Sequence, residues 1–137
     1  MTVMRKYHVA ILTAALALSA VAADLTVRPR EACAAQAKVS FSEDVLPIFR
    51  GYCFSCHQPG GEGAEKSGLD LTSYAGLMKG TRNGPMVVAG DPDTSNLMWL
   101  LDWRASAELR MPHGKKKLPV CERDLIRTWI FQGAKDN

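Results

Sequence analysis

The chain has 137 residues, a formal net charge of +3, 47% hydrophobic residues and 23% charged residues. That length holds one domain, and a pI near 8.7 is too mildly basic to argue for a nucleic-acid binder. Three Trp, three Tyr and four Phe supply material for a core and exclude disorder as the main state.

The apolar residues are concentrated at the start. Arg5 and Lys6 precede residues 9–22, a run of apolar and small side chains interrupted only by Thr13 and Ser19. Ala20-Val21-Ala22 satisfies the small-x-small rule, so residues 1–22 are predicted to be a secretory signal peptide, with Ala35-Gln36-Ala37 as a later cleavage alternative. The run falls short of the about 20 apolar residues that a membrane-spanning helix needs, which disfavours an uncleaved anchor. Cleavage after Ala22 removes two basic groups and brings the charge to about +1, so global charge selects no partner. Residues 23–40 then form an N-terminal extension containing Cys33, and residues 41–134 form the domain.

Within that domain a first helix is predicted from about Ser42 or Asp44 to Tyr52. Both start residues are capping types, and an N-cap at Asp44 puts Pro47 in the first turn, where its missing N–H is harmless. Residues 58–68 read as a loop rich in Gly and charge. A short helix is expected over residues 72–79 with Gly80 as its stop. Another opens near Asp93, carries Leu97, Met98, Leu100 and Leu101, and ends about Trp103. The last starts at Pro119 and ends before Gly133, with Leu125, Ile126, Trp129 and Ile130 at helical spacing. The expected fold is a small all-α domain of about four to five short helices whose terminal helices cross, with Trp99, Trp103 and Trp129 in the core or on a cofactor wall.

The chemistry is concentrated in Cys53-Phe54-Ser55-Cys56-His57. C-x-x-C-H is the pattern of covalent c-type haem attachment. Two thiols one helical turn apart can each add to a vinyl group of the macrocycle, while the adjacent imidazole lies under the iron. Cys53 and Cys56 are therefore expected as thioethers and His57 as the proximal ligand, its second ring nitrogen donating a hydrogen bond that fixes the ring. A zinc site would need a fourth ligand such as Cys121 or His113, and no second C-x-x-C or H-x-x-H pair occurs. A dithiol redox motif would need a βαβ context that is absent from the pattern.

A closed iron needs a second axial ligand. Met78 and Met98 sit in apolar helical patterns and read as core. Met86 follows Pro85 in a Gly-rich loop and reads as packing against the ring. Met111 stands isolated in the polar loop Arg110-Met111-Pro112-His113-Gly114, which makes it the distal candidate, with His113 as its rival. Arg82, Trp103 and Arg104 are candidates to hold a haem propionate. Cys33 and Cys121 persist after cleavage in an oxidising compartment, so a disulfide between extension and last helix is one reading; a reactive or merely buried Cys121 is the other.

With these pieces in view, Phe41 to Ala134 resembles a class I cytochrome c domain, most like the planctomycete-type cytochrome c domain of exported bacterial proteins. The resemblance rests on the FSEDVLPIF run beginning at Phe41, on Cys53 to His57, on Gly68-Leu69-Asp70-Leu71 and on the VAGDPDTSNL run beginning at Val88. Arg110-Met111-Pro112 and the WIFQGA run beginning at Trp129 complete it. It implies haem c, one per chain, and assembly outside the cytoplasm; it also implies the Met of the Met-Pro pair as distal ligand, which is Met111 here. His113 departs from the family pattern, where Pro is common.

These features together lead to the expectation of an exported, periplasmic mono-haem electron carrier and not an enzyme. Two protein ligands leave the iron no vacant site, and Met–His ligation favours Fe(II), within a ligand-dependent span of about 0.8 V. Two other readings compete: a haem-based small-ligand binder or sensor with an open or labile distal site, and an electron-accepting subunit of a periplasmic oxidoreductase. Lys115, Lys116 and Lys117 come directly after the ligand loop and are candidates to steer docking of redox donor and acceptor proteins.

Overall fold

The computed structural model describes residues 38–137. The predicted signal segment, its two candidate cleavage sites and Cys33 lie outside the described residues. A π-helical turn, Phe41–Val45, runs directly into α1, Leu46–Tyr52. Then come α2, Glu62–Ser67, α3, Tyr74–Lys79, and α4, Asn96–Leu101. A 3-10 turn, Ala107–Leu109, precedes α5, Val120–Phe131. The described residues contain no strand, only an isolated bridge between Thr81 and Gly84, so the helical class read from the pattern holds.

The first helical segment starts earlier than expected. Ser40, and neither Ser42 nor Asp44, is the cap: its hydroxyl accepts from the Glu43 N–H, while the Asp44 carboxylate accepts from the Ser40 N–H at 2.8 Å. Each side chain thus satisfies a backbone donor at the other end of the turn, the reciprocal logic of a capping box. Pro47 falls in the first turn of α1, where no intrahelical N–H is needed. The chain's last residue stitches this start down, since the backbone oxygen of Asn137 accepts from Ser42 N–H and from the Ser40 hydroxyl.

Three more boundaries are set by local chemistry. Residues 62–67 are helical where a loop was expected: Glu62 and Lys66 pair across one turn at 2.6 Å, and Gly68, at φ +80°, takes the left-handed conformation that stops a helix. The hydroxyl of Ser73 caps α3 through Gly76 N–H, and Gly80 ends it as predicted. Helix α4 begins at Asn96 and not near Asp93. Ser95, fully buried, turns its hydroxyl away from the helix, donating to Asp91 O and accepting from Val88 N–H; the loop before α4 therefore closes on a satisfied polar group.

The core joins the two ends of the domain. The π-turn packs on α5, and α4 packs on α5. Phe41, Tyr74 and Trp129 form an aromatic triad, with ring centroids 5.4 Å apart for Phe41–Tyr74 and 5.5 Å for Phe41–Trp129. The indole N–H of Trp129 donates to Lys135 O, and the Tyr74 hydroxyl to Ala134 O. Ile126 and Ile130, both buried, continue the α5 stripe. On the opposite flank the Asp102 carboxylate, at the end of α4, pairs with both Arg123 and Arg127 of α5.

Trp129→Ala should therefore cost about 3–5 kcal/mol, as for other buried aromatic truncations. Denaturant unfolding of the holoprotein checks this, and a loss below about 1 kcal/mol would contradict the triad's place in the core.

Candidate functional site

The turn after α1 is built by backbone hydrogen bonds. Cys53 and Phe54 N–H both donate to Phe49 O, and Cys56 and His57 N–H both donate to Cys53 O. Two further bonds tie the turn to α2 and to the segment before α3: Ala64 N–H donates to Cys56 O, and Leu71 N–H donates to His57 O. Cys53, Cys56 and His57 are held in one turn in this way, with Cys53 partly buried and Cys56 exposed.

Both thiols are free, whereas Cys121 is disulfide-bonded. Cys121 thus supplies no thiolate to a zinc site, and among the described residues no group of three His, Cys, Asp or Glu side chains is arranged to hold a metal ion. The reading that ties Cys121 to Cys33 reaches a residue outside the described ones.

His57 Nδ1 lies 3.3 Å from Leu69 O, the carbonyl partner expected of a ligating imidazole, which leaves Nε2 as the nitrogen for coordination. Burial lowers the pKa of His57, outweighing the opposite effect of the Leu69 bond; the ring is held in the neutral form that can bind a metal. Gly63 comes against this ring. A Cβ there would lie 2.9 Å from His57 Cε1 and 3.0 Å from Nε2, so only glycine leaves the imidazole its place. The sequence reading missed Gly63, because a glycine in a Gly-rich segment gave no sign of a neighbour six residues back.

Cys53, Cys56 and His57 open onto a cavity of about 500 Å³, within the range of cofactor pockets. Met111, His113 and Lys115 line the same cavity, together with an apolar wall that includes Phe49, Leu69, Met86 and Leu100. Of the four methionines weighed as ligands, Met86 and Met111 reach it; Met98 is fully buried in the core, and Met78 packs against that core. Met86 is buried, in keeping with a packing role. Met111 is held at both ends of its backbone, its N–H donating to Leu100 O at 3.2 Å and its C=O accepting from the Trp103 indole at 2.9 Å. His113 is exposed at the rim.

The propionate candidates are otherwise engaged. Arg82 donates to Glu65 O and Lys66 O, satisfying the C-terminal carbonyls of α2. Arg104 lies 4.4 Å over the Trp99 ring, and the Trp103 N–H is spent on Met111. Trp99 is 44% exposed and bonds to Asp93 O, so it belongs neither to the core nor to the cavity wall. Lysines 115–117 also divide. Lys115 and Lys116 are exposed, while Lys117 folds back to donate to Asp102 O at 2.7 Å.

Two free thiols one turn apart, a neutral imidazole with one nitrogen anchored, and a thioether on one largely apolar cavity are the donor set of a c-type haem protein. Residues 53–113, under half of the chain, match the family model of planctomycete cytochrome C, which supports the resemblance to a planctomycete-type cytochrome c domain over those residues. Neither the curated proteins nor the solved structures contain a match. The family is one of haem-binding electron carriers, and its cofactor is haem c. No helix among the described residues is long and apolar enough to cross a membrane.

Two measurements check this site. Gly63→Ala should displace the imidazole and erode the low-spin absorption spectrum, with a larger loss for Gly63→Val; an unchanged spectrum would show that the ring does not need that space. In the reduced, haem-free chain, burial pushes the Cys53 thiol up to about 11, against a partial lowering by Lys115. Its neutral thiol then prevails at pH 7, and alkylation of Cys53 should rise about tenfold per pH unit until that value is approached. Labelling with peptide mass spectrometry reads the slope, and a plateau below about pH 9 would contradict the burial.

Proposed function

We propose that the protein is an exported mono-haem cytochrome c that carries single electrons in the periplasm, with iron ligated by His57 and Met111. The observation that carries the proposal is the convergence of Cys53, Cys56, His57 and Met111 on one apolar cavity. Haem bound there supplies one-electron exchange at its iron. Cys53 and Cys56 would tether it through thioethers formed by addition of each thiol to a vinyl group, so that it would not be lost when the chain loosens. His57 presents Nε2 while Leu69 O fixes the opposite nitrogen. Met111 would offer its thioether as the second ligand, and a soft sulfur favours Fe(II). The apolar wall excludes water, which limits the reorganisation that accompanies a change of charge.

Electrons must enter and leave through partners. Lys115, which lines the cavity, and Lys116 beside it are the exposed cations suited to orient an acidic redox protein. Lys117 is left out of that role because its ammonium is bonded to Asp102 O.

The test of closed ligation is optical. Oxidised protein should show the far-red Met-to-iron band, and the reduced spectrum should stay unchanged under carbon monoxide. Met111→Ala should abolish the band and open the iron to carbon monoxide. Ready binding of carbon monoxide by the wild type would overturn the carrier reading in favour of a ligand binder or sensor. Replacing Lys115 and Lys116 together by Gln should slow electron exchange with an acidic partner several-fold at low salt and leave the spectrum alone. A rate equal to wild type would remove the docking role.

A further inference from the structure

Trp103 has an unusual backbone for its side chain. It sits at φ +60°, a left-handed conformation that bulky residues avoid. Such a conformation persists only where the surroundings over-determine it, and here they do. The Trp103 N–H donates to Leu100 O at 3.2 Å. The preceding residue, Asp102, is pinned through its carboxylate to Arg123 and Arg127 and through its carbonyl to Lys117. Arg110 and Lys117 both approach the indole ring, at 5.5 and 5.8 Å from its centroid.

The result of this arrangement is the direction of one donor. The indole N–H reaches Met111 O at 2.9 Å, while Met111 N–H reaches the same Leu100 O that receives Trp103 N–H. Met111 is thereby gripped at both sides of its backbone, by the end of α4 and by the indole just beyond it. Loop 104–110 closes between these two points.

We infer that Trp103 is a positioning residue for Met111: its indole N–H fixes the peptide that carries the sulfur and so keeps the distal side of the haem closed. The inference rests on Met111 as the distal ligand. In Trp103→Phe an aromatic ring remains for Arg110 and Lys117 but the donor is gone. The loss of one such bond is worth about tenfold in the balance between closed and open distal sites. The variant holoprotein should show a weakened far-red Met-to-iron band and carbon monoxide affinity raised about tenfold. Trp99→Phe is the control, because it also deletes an indole donor from the same helix region, one aimed at Asp93 O, and should change neither readout.

A Trp103→Phe protein with wild-type band and carbon monoxide affinity would overturn the positioning role. A wild type that lacks the band would instead overturn Met111 ligation itself, so the two failures are distinct. Should Trp103→Phe not fold, the wild-type holoprotein still decides by NMR. The Trp103 indole proton should exchange with water at least about tenfold more slowly than a free indole N–H, and exchange at the free-indole rate would contradict the bond.

Discussion

The bond between His57 Nδ1 and Leu69 O is the constraint on which the site depends. It orients the ring, and it exists only because residues 58–68 return the chain to the Cys-x-x-Cys-His turn. That return is made by a short helix whose start is tied to Cys56 O through Ala64 N–H and whose end is stopped at Gly68 and covered by Arg82. Gly63, inside the same helix, comes close enough to the imidazole to exclude a methyl group. The short helix α2 thus acts as the wall behind the His57 imidazole, and its composition of small and charged residues suits that position.

The segment that carries Met111 is held on different terms. The proximal turn is made by bonds between residues close in sequence, whereas Met111 depends on contacts brought together by tertiary structure. Asp102, Arg123 and Arg127 join the end of α4 to α5, and Trp103 passes that anchorage to the loop. The Asp102–Arg123 pair is largely shielded from water, with side chains only 12% and 16% exposed. Removing Asp102 would leave the Arg123 guanidinium without its carboxylate, whereas removing Arg123 would still leave Asp102 paired with Arg127. The loop that carries Met111 and the terminal helix are in this sense one mechanical unit.

Much of this was legible in the sequence, for identifiable reasons. Apolar spacing located α1, α3, α4 and α5, and the C-x-x-C-H run located the turn that opens onto the cavity. Met111 stood apart from Met78 and Met98 as a thioether in a polar loop, and in the fold it packs against the core, as Met78 does, but also lines the cavity that the other two do not reach. Helix α2 was missed because Gly63 inside it and Gly60, Gly61 and Gly68 around it mask a pair, Glu62 and Lys66, that only helical geometry brings together. Trp99 was misplaced because residue type alone does not reveal which face of α4 it occupies, and its ring meets the Arg104 guanidinium instead of the core. Arg82 and Lys117 carry charges that the sequence offers to a ligand or partner but the fold spends on backbone carbonyls. Such long-range pairings leave no periodic trace.

Every role given to His57 and Met111 presupposes that Cys53 and Cys56 hold haem covalently, one per chain. Intact mass spectrometry of the purified protein after acid–acetone extraction is the decisive measurement. The polypeptide should keep the mass of one haem through the extraction, and the double variant Cys53→Ala/Cys56→Ala should release the pigment. A wild-type chain stripped to its bare polypeptide mass would contradict covalent attachment and with it the assignment of the site.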